Sequence, residues 1–354
     1  MPENTSRTTY REHTDTENIL KLRQVLSTLP AFCKDYFRAI DSTTTTKTRI
    51  SYAYDIRIFF QFLLDENPAF KNYAMTDFSV DVLDQIKAVD LEEYMEYLKV
   101  YQNGDKTETN GERGLKRKIS ALRSFYAYYY KREMIHTNPT VLIDVPKIHD
   151  KSIIRLDTDE VALLLDYIEH CGDSLTGQKR VYYEKTKERD LAIVTLLLGT
   201  GIRVSECVGL DIEDVDFKNN GIKVTRKGGN EMVVYFGEEV EKALKRYLEI
   251  REGITPLAGH EHALFYSAQR KRMGVQAVEN MVKKYSRQIT TTKKITPHKL
   301  RSTYGTALYQ ETGDIYLVAD VLGHKDVNTT KKHYAALDDA RRRQAATAVR
   351  LRED

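Results

Sequence analysis

The sequence predicts a mainly α protein built from two helical domains, the second holding a small antiparallel β-sheet. Apolar residues recur at helical spacing along most of the chain. The stretch "HTNPTVLIDVPKIHDKS", with Pro139 and Pro146 flanking a short extended segment, polar residues and no periodicity, interrupts that pattern and reads as a linker. One segment, "GIKVTRKGGNEMVVYF", alternates on both sides of a Lys-Gly-Gly-Asn turn, as a β-hairpin does. With 354 residues the chain can bury two proper cores.

The elements follow in order. Residues 1–18 are polar, poor in aliphatics and without periodicity, which predicts disorder. A helical domain is expected over 19–145. "ENILKLRQVLSTLPAFCKDYFRAI" is helical with a break at Pro30, and "TKTRISYAYDIRIFFQFLLDE" places Ile50, Tyr54, Ile58 and Phe62 on one face. The Thr43–Thr46 run offers N-caps for the latter. "DLEEYMEYLKVY" is a third helix, followed by "QNGDKTETNGERG", read as a loop from its polar and glycine content. The fourth helix, "LKRKISALRSFYAYYYKREM", puts Leu115, Ile119, Leu122 and Tyr126 on one face and Lys116, Arg117, Lys118 and Arg123 on others. Such a basic face can track a phosphate backbone, or simply be the solvated side of a helix covering a core.

The linker is placed at 146–152 and a second domain at 153–336. Its first helix, "LDTDEVALLLDYIE", has Asp157 or Thr158 as cap and Glu160 to complete a capping box. "KERDLAIVTLLLGTGIRVSECVGL" reads as a buried helix ending at Gly199, a tight turn, and a new helix entered at Arg203. The tail, 337–354, reads as an amphipathic helix.

Bulk properties narrow the function. The charged fraction is 30% and the hydrophobic fraction 41%, as in a soluble globular protein. No apolar run approaches the roughly 20 residues of a membrane span, and the polar N-terminus lacks a signal-peptide core, so a cytoplasmic location is expected. Cys33, Cys171 and Cys207 are few, odd in number and far apart, which fits reduced thiols rather than a disulfide framework or a zinc site. Net charge is only +3, but positive charge is clustered: Ser267–Arg301 holds ten Lys or Arg, among them Lys283, Lys284 and Lys299, against one acid, Glu279. Arg341, Arg342, Arg343, Arg350 and Arg352 follow in the tail. Clusters of this kind indicate a polyanionic partner or a solvated basic surface. "RKGGN" lacks the spacing of an ATP-binding loop.

Several polar residues of the second half stand out. Arg203 emerges straight after "LLLGTG"; its planar fork suits two phosphate oxygens, though an ion pair with Glu206 would explain it equally well. Lys227 occupies the hairpin tip, where a lysine either reaches a ligand or is merely solvated. In "TPHKLRSTYGTAL", Pro297 favours a helix start, and His298 and Arg301 are three apart on one face. Such a pair can hold an anionic oxygen while the imidazole handles a proton near neutral pH, or it can be structural. His324 follows Gly323, and Tyr334 lies ten residues later.

The ordered set Arg203, Lys227, His298, Arg301, His324 and Tyr334, with "GTG", "HKLR" and "LGH" around it, closely resembles the tyrosine recombinase (phage integrase) family across the whole second domain. The helical first half is similar to that family's core-binding domain. "LPAFCKDYF" and "YAYDIRIFFQFL" resemble Xer-type recombinases, most of all the single-recombinase XerS kind. The resemblance implies the family's catalytic fold and a division of labour. Tyr334 would attack a DNA phosphate, leaving a 3′-phosphotyrosine and a free 5′-hydroxyl. Arg203 and Arg301 would bind the non-bridging oxygens, and Lys227 would protonate the departing 5′-oxygen. His298 would serve the tyrosine as acid–base, His324 would donate to the phosphate, and Glu206 would brace the site. Lys331 and Lys332 would face the duplex. No metal, ATP or other cofactor is implied, because two guanidiniums supply the positive charge and the covalent link conserves bond energy.

In the family pattern the tyrosine lies nine residues after the "LGH" histidine; here His333 is ninth and Tyr334 tenth, which implies one extra residue in the loop before the nucleophile. The resemblance further implies a C-shaped clamp on double-stranded DNA and a homotetramer exchanging strands through a Holliday junction, with the terminal helix docking on a neighbouring protomer; the alternative is a tail that packs on its own domain. A DNA translocase or second recombinase is a possible partner. With no additional arm-binding domain ahead of the helical half, the expected role leans to chromosome dimer resolution. The alternatives are a mobile-element integrase or excisionase, a type IB topoisomerase, and a non-catalytic DNA-binding protein.

Overall fold

The computed structural model describes residues 9–149, 153–226, 229–324, 326–328 and 330. The chain forms two compact units, Met1–Asp150 and Lys151–Asp354.

The first unit contains α1 (Tyr10–Leu26), α2 (Cys33–Ala39), α3 (Thr46–Glu66), α4 (Val82–Gln85), α5 (Ala88–Tyr97), strands β1 (Val100–Asn103) and β2 (Lys106–Thr109), and α6 (Glu112–Lys131). Helix α1 starts at Tyr10, inside the stretch expected to be disordered. A capping box starts it: Thr9 N–H donates to Glu12 Oε2 at 2.7 Å and Glu12 N–H to Thr9 Oγ1 at 3.3 Å. Polar contacts to α3 then hold its first half, with Thr46 Oγ1 donating to Asp15 at 2.6 Å; apolar periodicity is not needed there. Thr45 caps α3, as the threonine run indicates. Its buried face is rotated from the expected one: Ile50 and Phe62 are buried, but Ala53, Ile56, Phe60 and Leu63 form the centre and Tyr54 and Ile58 only its margin. The expected loop after α5 is a hairpin whose strands pair Val100 with Thr109 through Asn103 with Lys106. Gly104, at φ 62°, is the first of the two turn residues, and the Gly104-Asp105 pair was the hairpin signal in the sequence.

On α6 the apolar face is buried as its spacing predicts: Leu115, Ile119, Leu122 and Tyr126 all lie in the core. Its basic residues do not form one exposed face. Lys118 is 5% exposed, and its ammonium sits 3.1 Å from Asp55, which also pairs with Arg117. A buried carboxylate needs such partners, so Lys118 serves the core and is removed from the expected DNA-contacting set. Arg123 donates to the carbonyls of Thr140 (3.0 Å) and Ile143 (2.7 Å), fastening the segment after α6 to the helix. Lys116 is exposed, and Arg117 remains half exposed beside Asp55.

The second unit contains α7 (Thr158–His170), α8 (Gly177–Thr200), α9 (Val204–Gly209), β3 (Val215–Asp216), β4 (Gly221–Thr225), β5 (Glu231–Tyr235), α10 (Glu238–Glu252), α11 (Val275–Ile289), α12 (Pro297–Thr312) and α13 (Ile315–Leu322). The three strands form an antiparallel sheet in the order β3-β4-β5. Helix α8 is the axis of the unit: every residue from Leu191 to Leu197 is buried, and α7, α10 and α12 pack around it. This second half of α8 is apolar on nearly all sides, and such a segment belongs in a core.

Helix α8 runs one residue past the expected Gly199 and is capped by Gly201, at φ 62°, whose N–H donates to Leu197 O. This glycine sets the direction of the chain into Arg203. A Cβ there would lie 2.3 Å from the Tyr304 ring and 2.9 Å from Leu322. Left-handed backbone costs a non-glycine residue about 1–2 kcal/mol, and overpacking about 1–3 more. Gly201→Ala is therefore expected to lower unfolding stability by about 2–5 kcal/mol, read as a lower urea midpoint at unchanged slope. A midpoint equal to that of wild type would refute this account of the turn.

Candidate active site

The site is assembled at the carbonyl end of α13. Asp314 caps the other end, its carboxylate accepting from Tyr316 and Leu317 N–H. At the C-terminus Gly323 adopts φ 60°, and His324 N–H reaches back to Ala319 O at 2.9 Å while Gly323 N–H bonds Asp320 O at 2.7 Å. Val321, Leu322 and Gly323 then present their carbonyls forward, at the negative end of the helix dipole.

Three guanidiniums converge on those carbonyls. Arg226 donates to Val321 O (2.8 Å) and Leu322 O (3.2 Å). Arg301, only 4% exposed, bonds Leu322 O and Gly201 O. Arg203 reaches Gly323 O at 3.2 Å. Arg203 is also the N-cap of α9, and Glu206, one turn on, binds both its backbone N–H and its guanidinium at 2.8 Å. The second oxygen of Glu206 accepts from Arg226 at 3.2 Å. Glu206 is buried, so one carboxylate braces two guanidiniums. Three arginines around this carboxylate leave the cluster cationic, and about a third of the Arg203 side chain stays exposed, as an anion-binding group requires.

Among the residues expected in the site, Arg203, Glu206, Arg301 and His324 are thus brought together. The His324 Nδ1 lies 2.7 Å from the hydroxyl of Thr330, which is fully buried. His298 is in the first turn of α12 and exposed, one turn before the buried Arg301. Lys227, Lys331, Lys332 and Tyr334, and the C-terminal helix expected over 337–354, lie outside the described residues. Lys283 and Lys284 are exposed on α11, with the Lys284 ammonium 4.4 Å from the centroid of the Tyr285 ring, and Lys299 is half-buried.

Other nucleophiles near the site are poorly placed for chemistry. Cys207, beside Glu206, is fully buried, and burial first, then the Glu206 charge, pushes its thiol up to about 12. Tyr309 is buried, and Tyr304 packs on Gly201 with its phenol raised by burial. All three cysteines are free and buried. Among the described residues no cluster of three or more His, Cys, Asp or Glu has the arrangement of a metal site, and no helix is long and apolar enough to cross a membrane.

Sequence reasoning missed Arg226. The signal was there: Ile222 and Val224 are buried positions of β4, so strand alternation points residue 226 inward too. An inward arginine at the end of a strand needs partners, and the sequence does not show which.

The profile of the phage integrase family matches residues 155–341. The chain is 32% identical over 331 residues to tyrosine recombinase XerC of Caldanaerobacter subterraneus subsp. tengcongensis, covering 90% of this chain and 86% of that protein. It is 30% identical over 345 residues to tyrosine recombinase XerS of Streptococcus uberis, covering 90% and 95%. In fold it is similar to the Tn1549 transposon integrase in complex with transposon right end DNA (TM-score 0.64, 21% identity, 90% of this chain and 99% of that one). The XerH recombinase bound to its difH substrate gives a TM-score of 0.59 at 21% identity, over 85% and 78%. The chain therefore belongs to the phage integrase family, as a site-specific recombinase of the Xer tyrosine recombinase type.

Proposed function

We propose that this protein resolves chromosome dimers by cleaving and rejoining duplex DNA at a specific site, as a homotetramer passing through a Holliday junction. The observation that carries the chemistry is the convergence of Arg203, Arg301, Glu206 and His324 on the carbonyl end of α13. Residues 120 positions apart in the chain meet there, in the Arg203–Gly323 bond, and they are the groups a phosphoryl transfer needs. Tyr334 attacks the phosphorus through its phenolic oxygen while the bond to the 5′-oxygen breaks. The phenolic proton passes to His298, and Lys227 protonates the leaving oxygen. Arg203 and Arg301 hold the non-bridging oxygens as charge builds, and His324 adds a hydrogen bond. Reversal by a different 5′-hydroxyl rejoins the strands. With guanidiniums in place of a cation and bond energy kept in the phosphotyrosine, the reaction runs without metal or ATP. The Xer role, rather than that of a mobile-element integrase, is supported by likeness to XerS over 95% of that protein's length. A DNA translocase or partner recombinase would then act at the same junction.

The test is a nicked suicide duplex carrying the sequence that the protein selects from random DNA. Wild type is expected to form a covalent adduct in EDTA without nucleotide, and to resolve a plasmid dimer with two direct copies of the site. Lys227→Ala should slow adduct formation by about 10²–10⁴-fold, the usual worth of a general acid, with duplex affinity near wild type. Lost affinity with an unchanged cleavage rate would remove Lys227 from that role.

A further inference from the structure

Beyond the six residues expected to do the chemistry, Arg226 has a set of contacts that nothing in the proposed reaction uses. Its guanidinium is buried, and every nitrogen is engaged. Nε and one terminal nitrogen lie 3.2 and 3.1 Å from the sulfur of Met232 on β5. The terminal nitrogens also reach Val321 O, Leu322 O and Glu206 Oε2. Gly323 abuts the same group, since a Cβ there would fall 3.0 Å from the guanidinium carbon. One side chain therefore ties the end of β4, the carboxylate that braces Arg203 and the last carbonyls before His324.

We propose that Arg226 is a positioning residue for recombination, holding Glu206 against Arg203 and the end of α13 so that Arg203 and His324 meet the scissile phosphate in one arrangement. The contact chain is continuous: Arg226 to Glu206 at 3.2 Å, Glu206 to Arg203 at 2.8 Å, Arg203 to Gly323 O at 3.2 Å. Burial lowers the pKa of Arg226 while Glu206 opposes that shift; an arginine so placed stays charged at neutral pH. A lysine could not make the same set of bonds, because an ammonium lacks the planar fork that spans a carboxylate and two carbonyls.

This inference rests on the recombinase chemistry proposed above, and a mutant cycle on the selected nicked duplex separates the two. Arg226→Gln is expected to slow single-turnover adduct formation by about 10–100-fold, with duplex Kd within about twofold of wild type. In an Arg203→Ala background the same change should slow it by a clearly smaller factor, because the share exerted through Arg203 is gone and only that through the end of α13 and His324 remains. Arg226→Lys, which keeps the charge beside Glu206, should fall between wild type and Arg226→Gln, and it takes the place of Arg226→Gln in the cycle should the latter not fold. Equal losses in both backgrounds mark a merely structural role and overturn the proposal, as does an unchanged rate in the wild-type background. A wild type that forms no adduct overturns the recombination chemistry, and this inference with it.

Discussion

Tyr334→Phe abolishes the covalent adduct on the suicide duplex while duplex affinity stays within about twofold of wild type: this is the expected result, and it follows from what a phenylalanine lacks. The ring is retained and the nucleophilic oxygen is lost, so binding surface is kept and chemistry is not. Removing a nucleophile costs on the order of 10⁴-fold or more, which in a single-turnover assay is no adduct at all. The competing groups near the site are disfavoured by their surroundings. Cys207 is held protonated in the core, and Tyr304 and Tyr309 pack within the unit. His333 precedes Tyr334 directly. A nitrogen-linked adduct would be acid-labile where a phosphotyrosine is not, so acid treatment of the wild-type adduct identifies the linkage. Persistence of an acid-stable adduct in Tyr334→Phe would mean that another oxygen attacks.

Glu206→Ala is expected to damage both stability and catalysis. The carboxylate is 3% exposed and compensates two guanidiniums, those of Arg203 and Arg226. Deleting it leaves two like charges facing each other without their counterion, and the Arg203 charge already lowers the pKa of Arg226. Breaking a buried ion pair from one side costs about 3–5 kcal/mol, which for a unit of this size is a fall in Tm of roughly 6–20 °C. Glu206→Gln keeps the shape and one acceptor oxygen, so its Tm should fall less. Adduct formation should slow in both by about 10²-fold, because Arg203 loses the partner that orients it. A Tm for Glu206→Ala within 2 °C of wild type would show that the pair contributes little and that Arg203 is placed by other contacts.

Much of this molecule can be read from short spacings. The Thr45 cap on α3, the Pro297 start of α12, the hairpin of β4 and β5 and the buried face of α6 all depend on residues within a turn or two of one another, and each is found where its pattern places it. The reading failed where partners are distant. Lys116, Arg117, Lys118 and Arg123 are alike as a string of cations, yet Lys118 is buried because Asp55 lies 63 residues earlier, and Arg123 faces inward because of carbonyls at Thr140 and Ile143. The polar start of α1 was misread for the same reason: Thr46 and Asp15, 31 residues apart, hold it.

The site divides along the same line. Its residue types and their order are written in the chain: "GTG" before Arg203, "HKLR" around Arg301, "LGH" at His324. Their meeting point is not, because nothing in those strings says that three guanidiniums share the carbonyl end of one eight-residue helix. Periodicity and capping are local and obey backbone geometry. The choice of counterion for a buried charge is made only when distant segments pack, since burial without a partner costs several kcal/mol and the fold must supply that partner from wherever the chain returns.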